Sequence, residues 1–215
     1  TTHFNIVDAQ GNAVSFTYTI NALYGNGVTV PNHGFLLNNE MDDFAARPGT
    51  PNLFGLVQGE ANAIVPKKTP LSSMTPTIVT KGGQLFMLLG APGGARIING
   101  VTQVFLNVVD FGMTVQQAVD QPRIHHQWLP DKLYLERGFS PDTKALLTAM
   151  GHKLEETGGV ASVEAILVER PKVSAGPSGV VADGATVDTG RRGSASSAAI
   201  YTTTWIAGAQ NGRSS

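Results

Sequence analysis

Polar and apolar residues alternate over residues 2–8 and again over 13–20, and Asp8-Ala9-Gln10-Gly11-Asn12 between them is turn chemistry. The alternation predicts a β-hairpin in which partner numbers sum to about twenty. Thr2, Phe4 and Ile6 then oppose Tyr18, Phe16 and Val14 on one apolar, aromatic face, the face expected to lie on the core. The other face carries Thr1, His3 and Asn5 against Thr19, Thr17 and Ser15. The same register sets Thr19 beside Thr1, with Cβ atoms about 5 Å apart.

Further along, strands are predicted at 77–80 and 84–89 around a Lys81-Gly82-Gly83 turn. After Gly94 the period changes: Ile97, Val101, Val104, Phe105 and Val108 follow helical spacing through Phe111. Thr114 caps a short helix over 115–120 that stops before Pro122. Ser140-Pro141-Asp142 opens another that Gly151 ends, and 161–169 reads as a strand. Pro48, Gly49, Pro51, Gly55 and Gly59 mark a loop long enough to cover a site. From Pro171 the composition shifts to Gly, Ser, Ala and Thr. The expected organisation is a domain over 1–170, a flexible insertion over 171–199, and a terminal strand and tail over 200–215.

The 215 residues contain no cysteine, which excludes a disulfide framework, Cys-ligated metal and a thiol nucleophile. Fifteen Lys+Arg against sixteen Asp+Glu argue against nucleic-acid binding. No apolar run approaches the roughly 18–20 residues of a membrane span. Only 14% of residues are charged, so part of the surface is expected to meet another chain. The chain opens at Thr1 with neither Met nor a signal peptide, which fits a removed initiator Met or, alternatively, a threonine exposed by cutting a longer precursor.

The chemistry concentrates in three places. A threonine at a chain terminus carries its own base, because a free α-amine titrates at about pH 7.7–8.0; a second hydroxyl, Thr19, can fix the rotamer of the first. Glu40 and Asp43 lie three apart, on one face of a helical turn, and suit a substrate ammonium or, without the EF-hand spacing, calcium. Gly93-Gly94 lie between a strand and a helix, where free N–H groups face an anion: an oxyanion or a phosphate. Ser72-Ser73 read alone as a turn or capping pair. His125-His126 point opposite ways in an extended run, so no metal site is expected, and Trp128 is expected to pack.

Four segments together resemble the small subunit of bacterial γ-glutamyltranspeptidases: 1–8, 70–77 (Pro-Leu-Ser-Ser-Met-Thr-Pro-Thr), 90–97 (Gly-Ala-Pro-Gly-Gly-Ala-Arg-Ile) and 122–131 (Pro-Arg-Ile-His-His-Gln-Trp-Leu-Pro-Asp). The resemblance runs from Thr1 to about Gly151. It implies an N-terminal-nucleophile hydrolase with a four-layer αββα sandwich, two antiparallel sheets between helices. It also implies a proenzyme cut before Thr1 into two associated subunits, acting on glutathione and related γ-glutamyl donors, with water, amino acids or peptides as acceptors and no cofactor. Thr1 matches the nucleophile and Thr19 its neighbour. Asn21, Glu40 and Asp43 match residues around the substrate α-amino group, and Ser72 and Ser73 those at its α-carboxylate. Gly93 and Gly94 match the oxyanion-hole amides. The large subunit would supply an arginine. Residues 48–59 match a lid loop in which Phe54 replaces a tyrosine found in several members, removing a hydroxyl tie. Similar bacterial enzymes are periplasmic or secreted. A cephalosporin acylase, a poly-γ-glutamate depolymerase and a non-catalytic binding subunit are the alternatives.

Overall fold

The computed structural model describes residues 1–169 and 186–190. Strands β1 (Thr2–Val7) and β2 (Ala13–Tyr18) form the hairpin. They pair antiparallel with Thr2 against Tyr18, Phe4 against Phe16 and Ile6 against Val14, the register predicted. The turn is fixed by Asp8, whose carboxylate accepts the amides of Gln10 (2.9 Å) and Asn12 (2.8 Å). Strands β3 (Thr77–Lys81) and β4 (Gln84–Gly90) make the second hairpin. Beyond them, β8 (Glu164–Glu169) and β9 (Thr186–Gly190) complete an antiparallel sheet in the order β3-β4-β8-β9. Strand β9 falls inside the span expected to be a flexible insertion; the expected terminal strand lies outside the described residues.

Alternation along β4 and β8 makes this sheet two-sided. Met87, Leu89, Ala165 and Leu167 pack with Ile97, Val101 and Val104 of helix α1 (Ile97–Val109), and with Val115, Ala118 and Val119 of α2 (Val115–Asp120). Leu88 and Ile166 point the other way, to Val7 and Ala13 of the first hairpin. The described residues thus stack helices, a four-stranded sheet and a two-stranded sheet, three layers of the αββα arrangement. Helix α2 begins with the predicted cap: the Thr114 hydroxyl accepts the Gln117 amide while the Gln117 side chain accepts the Thr114 amide. Helix α3 (Pro141–Ala149) starts at Ser140 as expected.

The hairpin's sidedness is the reverse of the expectation. The aromatic face is open, with Phe16 44% and Tyr18 59% exposed, and Phe4, Phe16 and Tyr18 form a ladder of rings 5.2 and 6.4 Å apart. The polar face is buried, with His3 4% and Ser15 5% exposed. Burial is tolerated because the polar groups find partners. Ser15 Oγ donates to the Leu89 carbonyl (3.0 Å) and Asn5 Nδ2 to the Glu164 carbonyl (2.9 Å). Since the Asn5 amide nitrogen is engaged there, its oxygen accepts from His3 Nε2–H (3.0 Å), and His3 Nδ1 accepts from the Thr17 hydroxyl (2.8 Å). The neutral imidazole suits its place: burial lowers its pKa, with the Asn5 hydrogen bond opposing. The ring lies flat against Gly90, where a Cβ would come within 2.0 Å of it.

A third, mixed sheet joins β5 (Ile124–His125), β6 (Leu133–Glu136) and β7 (Leu154–Thr157), with β6-β7 parallel. Its centre is a buried ion pair, Arg123 with Glu136 (3.2 Å). Glu136 also accepts the amides of Arg123 (3.0 Å) and Val160 (2.7 Å), and Arg123 donates to the carbonyls of Val119 (2.7 Å) and Ala161 (3.2 Å). Trp128, expected to pack, is instead largely exposed.

Candidate active site

The open end of the first hairpin brings two hydroxyls together: Thr1 Oγ1 lies 2.9 Å from Thr19 Oγ1. Thr19 Oγ1 also accepts the Asn21 amide (2.8 Å), which orients it. Asn21 takes a positive φ of 70°, and its side chain donates to the Asn39 carbonyl (3.1 Å), while the Asn39 side chain accepts the Ala22 amide (2.8 Å). Asn39 therefore links the threonine pair to the turn that follows it.

That turn is a short 3-10 helix, Glu40–Asp43, which places its carboxylates close together. Asp43 is pushed up from 3.8 to about 6, first by burial, then by the Glu40 charge, by a hydrogen bond with Glu40, and by the Asp42 charge. One Glu40 oxygen, Oε1, is buried with no hydrogen-bond partner. Adjacent carboxyls that repel each other, one with an unanswered oxygen, form a site that favours a cation. Among the described residues no cluster of three or more His, Asp or Glu is placed to hold a metal ion.

The opposite wall is the start of helix α1. Gly93 (φ 153°) and Gly94 (φ 56°) adopt backbone that side chains resist, and each is hemmed in. A Cβ on Gly93 would meet Ala161 and the Val160 carbonyl at 3.1–3.2 Å; one on Gly94 would meet the Phe54 ring at 2.9 Å. Ser73 Oγ donates to the Gly94 carbonyl (3.1 Å), fixing the serine pair to the same turn, while Ser72 Oγ accepts the Met74 amide (3.2 Å).

The loop over 48–59 spans the two walls. On one side Asp42 accepts the Leu53 amide (3.1 Å) and Asn52 donates to the Asp42 carbonyl (3.2 Å). On the other, Phe54 rests on Gly94 and Gln127 donates to the Phe54 carbonyl (3.2 Å). A cavity of about 780 Å³ opens beside the loop, lined by Phe54, Gly93, Arg96, Gln127, Tyr134 and Glu136 among others. The contacts tie Thr1, Thr19 and Asn21 through Asn39 to the Glu40–Asp43 turn, and the loop runs from Asp42 to Gly94, whose carbonyl Ser73 holds; Ser72 turns back to Met74 instead. The fold adds Asn39, Asp42 and Gln127. Gln127 lies in the 122–131 segment that carries the resemblance, though no role could be read for it there.

A threonine pair at the end of the first hairpin, on one sheet of a layered α/β sandwich, defines the N-terminal-nucleophile hydrolase class of fold. The comparisons narrow this. The family model for gamma-glutamyltranspeptidase matches residues 1–187, and the chain belongs to that family. It is 52% identical over 168 residues to a glutathione hydrolase proenzyme of Escherichia coli, a match covering 78% of this chain and 29% of that protein. The fold is similar to a Helicobacter pylori gamma-glutamyltranspeptidase mutant (TM-score 0.81, 48% identity, 89% of this chain and 98% of that one). It is also similar to the Pseudomonas nitroreducens enzyme complexed with L-DON (TM-score 0.79, 42% identity, 93% of this chain and 100% of that one). The chain spans about three-tenths of the length of the first curated relatives it matches.

Proposed function

We propose that this chain is the nucleophile-bearing part of a γ-glutamyl transferase and glutathione hydrolase, made as a precursor that is cut before Thr1. The observation that carries the reading is the 2.9 Å contact between the Thr1 and Thr19 hydroxyls at the open end of the hairpin, a pair that Asn21 and Asn39 tie to the turn before Glu40. A hydroxyl held in one rotamer beside a base attacks without the entropic cost of finding its geometry.

In this reaction Thr1 Oγ1 attacks the donor γ-carbonyl and its proton passes to the Thr1 amine. The oxyanion forms against the Gly93 and Gly94 amides. The C–N bond breaks, the leaving amine takes the proton, and a γ-glutamyl ester remains on Thr1. Water or the amine of an amino acid or peptide then attacks the ester, and the steps run in reverse. Asp43, Glu40 and Asn21 hold the donor ammonium, a role supported by the unpartnered Glu40 oxygen and the raised Asp43. Ser72 and Ser73 bind the α-carboxylate together with an arginine from the rest of the precursor. No cofactor enters.

The large subunit is proposed to cover the exposed Phe4-Phe16-Tyr18 ladder, which would supply the missing outer layer of the sandwich. A periplasmic or secreted location is proposed from the bacterial relatives. Among the described residues no helix is long and apolar enough to cross a membrane.

The test expresses the full precursor and compares γ-glutamyl with glutaryl anilides. The reading expects turnover of the γ-glutamyl donor, poor turnover of the glutaryl donor, and loss of both cutting and turnover in Thr1→Ala. Equal use of the glutaryl donor would overturn the amino-acid end of the reading in favour of an acylase. Turnover by Thr1→Ala would remove the nucleophile.

A further inference from the structure

The Phe54 ring, which carries no hydroxyl, is seated against Gly94 at the crown of the loop. The loop's own bonds do not reach across the site. Asn52 accepts the amides of Phe54 (3.0 Å) and Leu56 (3.0 Å), which shapes the tip, and the Asp42 contacts secure it to the carboxylate turn. Among the described residues, the hydrogen bond that reaches the opposite wall comes from Gln127.

The Gln127 amide is itself oriented. Nε2 donates to the Phe54 carbonyl (3.2 Å) and to the Leu129 carbonyl (3.2 Å), so Oε1 is the acceptor, and His125 Nε2–H donates to it (2.8 Å). His125 is buried, so its ring cannot swing away, and burial keeps it neutral at ordinary pH, with the proton on Nε2. Gly55 sits close by: a Cβ there would approach the Gln127 amide nitrogen to 3.5 Å. Segment 122–131 thus contributes a fixed donor aimed at the crown of the loop, next to the cavity that Phe54, Gly93 and Gln127 line.

We propose that Gln127 is a positioning residue that, oriented by His125, latches loop 48–59 across the site, keeps Phe54 over Gly94 and so retains the bound donor. The inference rests on the proposed role of that loop as the cover of a γ-glutamyl site. Among the described residues Gln127 hydrogen-bonds to His125, Phe54 and Leu129 and not to the Thr1 pair or the carboxylates, so its effect passes through the loop. Losing one neutral hydrogen bond that favours the closed loop raises the open population by about three- to tenfold.

The experiment uses Gln127→Leu and Gln127→Met in the assembled enzyme made from the full precursor. Two readouts are taken: limited chymotrypsin cleavage at Leu53, Phe54 or Leu56, and kcat and KM for a γ-glutamyl anilide. The expected result is cleavage within the loop accelerated by about three- to tenfold. Donor KM should rise by a similar factor with kcat within about twofold of wild type. Unchanged cleavage in both variants overturns the latch. Faster cleavage with unchanged KM leaves the latch in place but overturns the loop as donor cover. A fall in kcat at constant KM, with a lowered melting temperature, would show that Gln127 only supports the surrounding fold, and overturns the proposal.

Discussion

Donor capture should titrate with Asp43, at a pH where an ordinary aspartate would already be ionised. Burial and the neighbouring Glu40 and Asp42 charges raise Asp43 from 3.8 to about 6. The carboxylate that is to hold an ammonium is therefore about half protonated at pH 6. Its ionised fraction falls from about nine-tenths at pH 7 to just under a tenth at pH 5, about a tenfold loss. With an unshifted pKa the same interval would cost less than about a tenth. The bound ammonium opposes the repulsion, so the limb should move to lower pH in the complex. The assay is steady-state hydrolysis of a γ-glutamyl anilide from pH 4.5 to 8 at constant ionic strength. A free α-amine acting as base already gives kcat/KM an acidic limb of slope one below about pH 8. Protonation of Asp43 should steepen that limb below about pH 6, with the break at lower pH in kcat. Asp43→Asn should raise donor KM and remove the extra slope while leaving the limb of the amine. A wild-type profile that does not steepen below about pH 6, or a steepening that persists in Asp43→Asn, would refute the reasoning. For stability the sign is opposite: the native state binds the extra proton between pH 3.8 and 6, so Asp43 favours folding less as pH rises through that window.

The buried Arg123–Glu136 pair should be costly to break from one side. Glu136→Gln leaves the Arg123 charge without its counterion and should destabilise by about 3–5 kcal/mol, read as a lower melting temperature or a smaller yield of folded chain; an unchanged melting temperature would contradict the pairing. Gly90→Ala forces a methyl group to within 2.0 Å of the His3 ring, two residues from Thr1. It should cost about 1–3 kcal/mol by overpacking and lower kcat as well; wild-type melting and turnover together would show that the ring does not lie there.

The first hairpin shows both the reach and the limit of sequence reading. A period of two in both arms and the Asp8 turn determine the register, and with it the Thr1–Thr19 contact. Alternation says which residues share a face, not which face meets the next sheet. The aromatic side looked like the core, yet His3, Asn5, Ser15 and Thr17 lie inward because β4 and β8 offer them carbonyls and Gly90 leaves room for an imidazole. The Glu40–Asp43 turn and Gly93-Gly94 were legible because their chemistry is local. Arg123 and Gln127 lie in the 122–131 segment that carries the resemblance, but their roles and that of Glu136 were not legible, since the Gln127–Phe54, Arg123–Glu136 and Arg123–Ala161 contacts span 13 to 73 positions. The same distance hides the packing of Phe54 on Gly94, which sequence presented only as a missing hydroxyl.

The central claim is that Thr1 carries the acyl group. Acid-quenching the full enzyme during turnover of a γ-glutamyl donor, digesting it and mapping the peptides by mass spectrometry tests this directly. The account predicts one γ-glutamyl group, as an ester, on the peptide that begins at Thr1, absent when donor is omitted. A γ-glutamyl group on any other residue, or turnover with no acylated peptide under conditions where deacylation limits the rate, would contradict it.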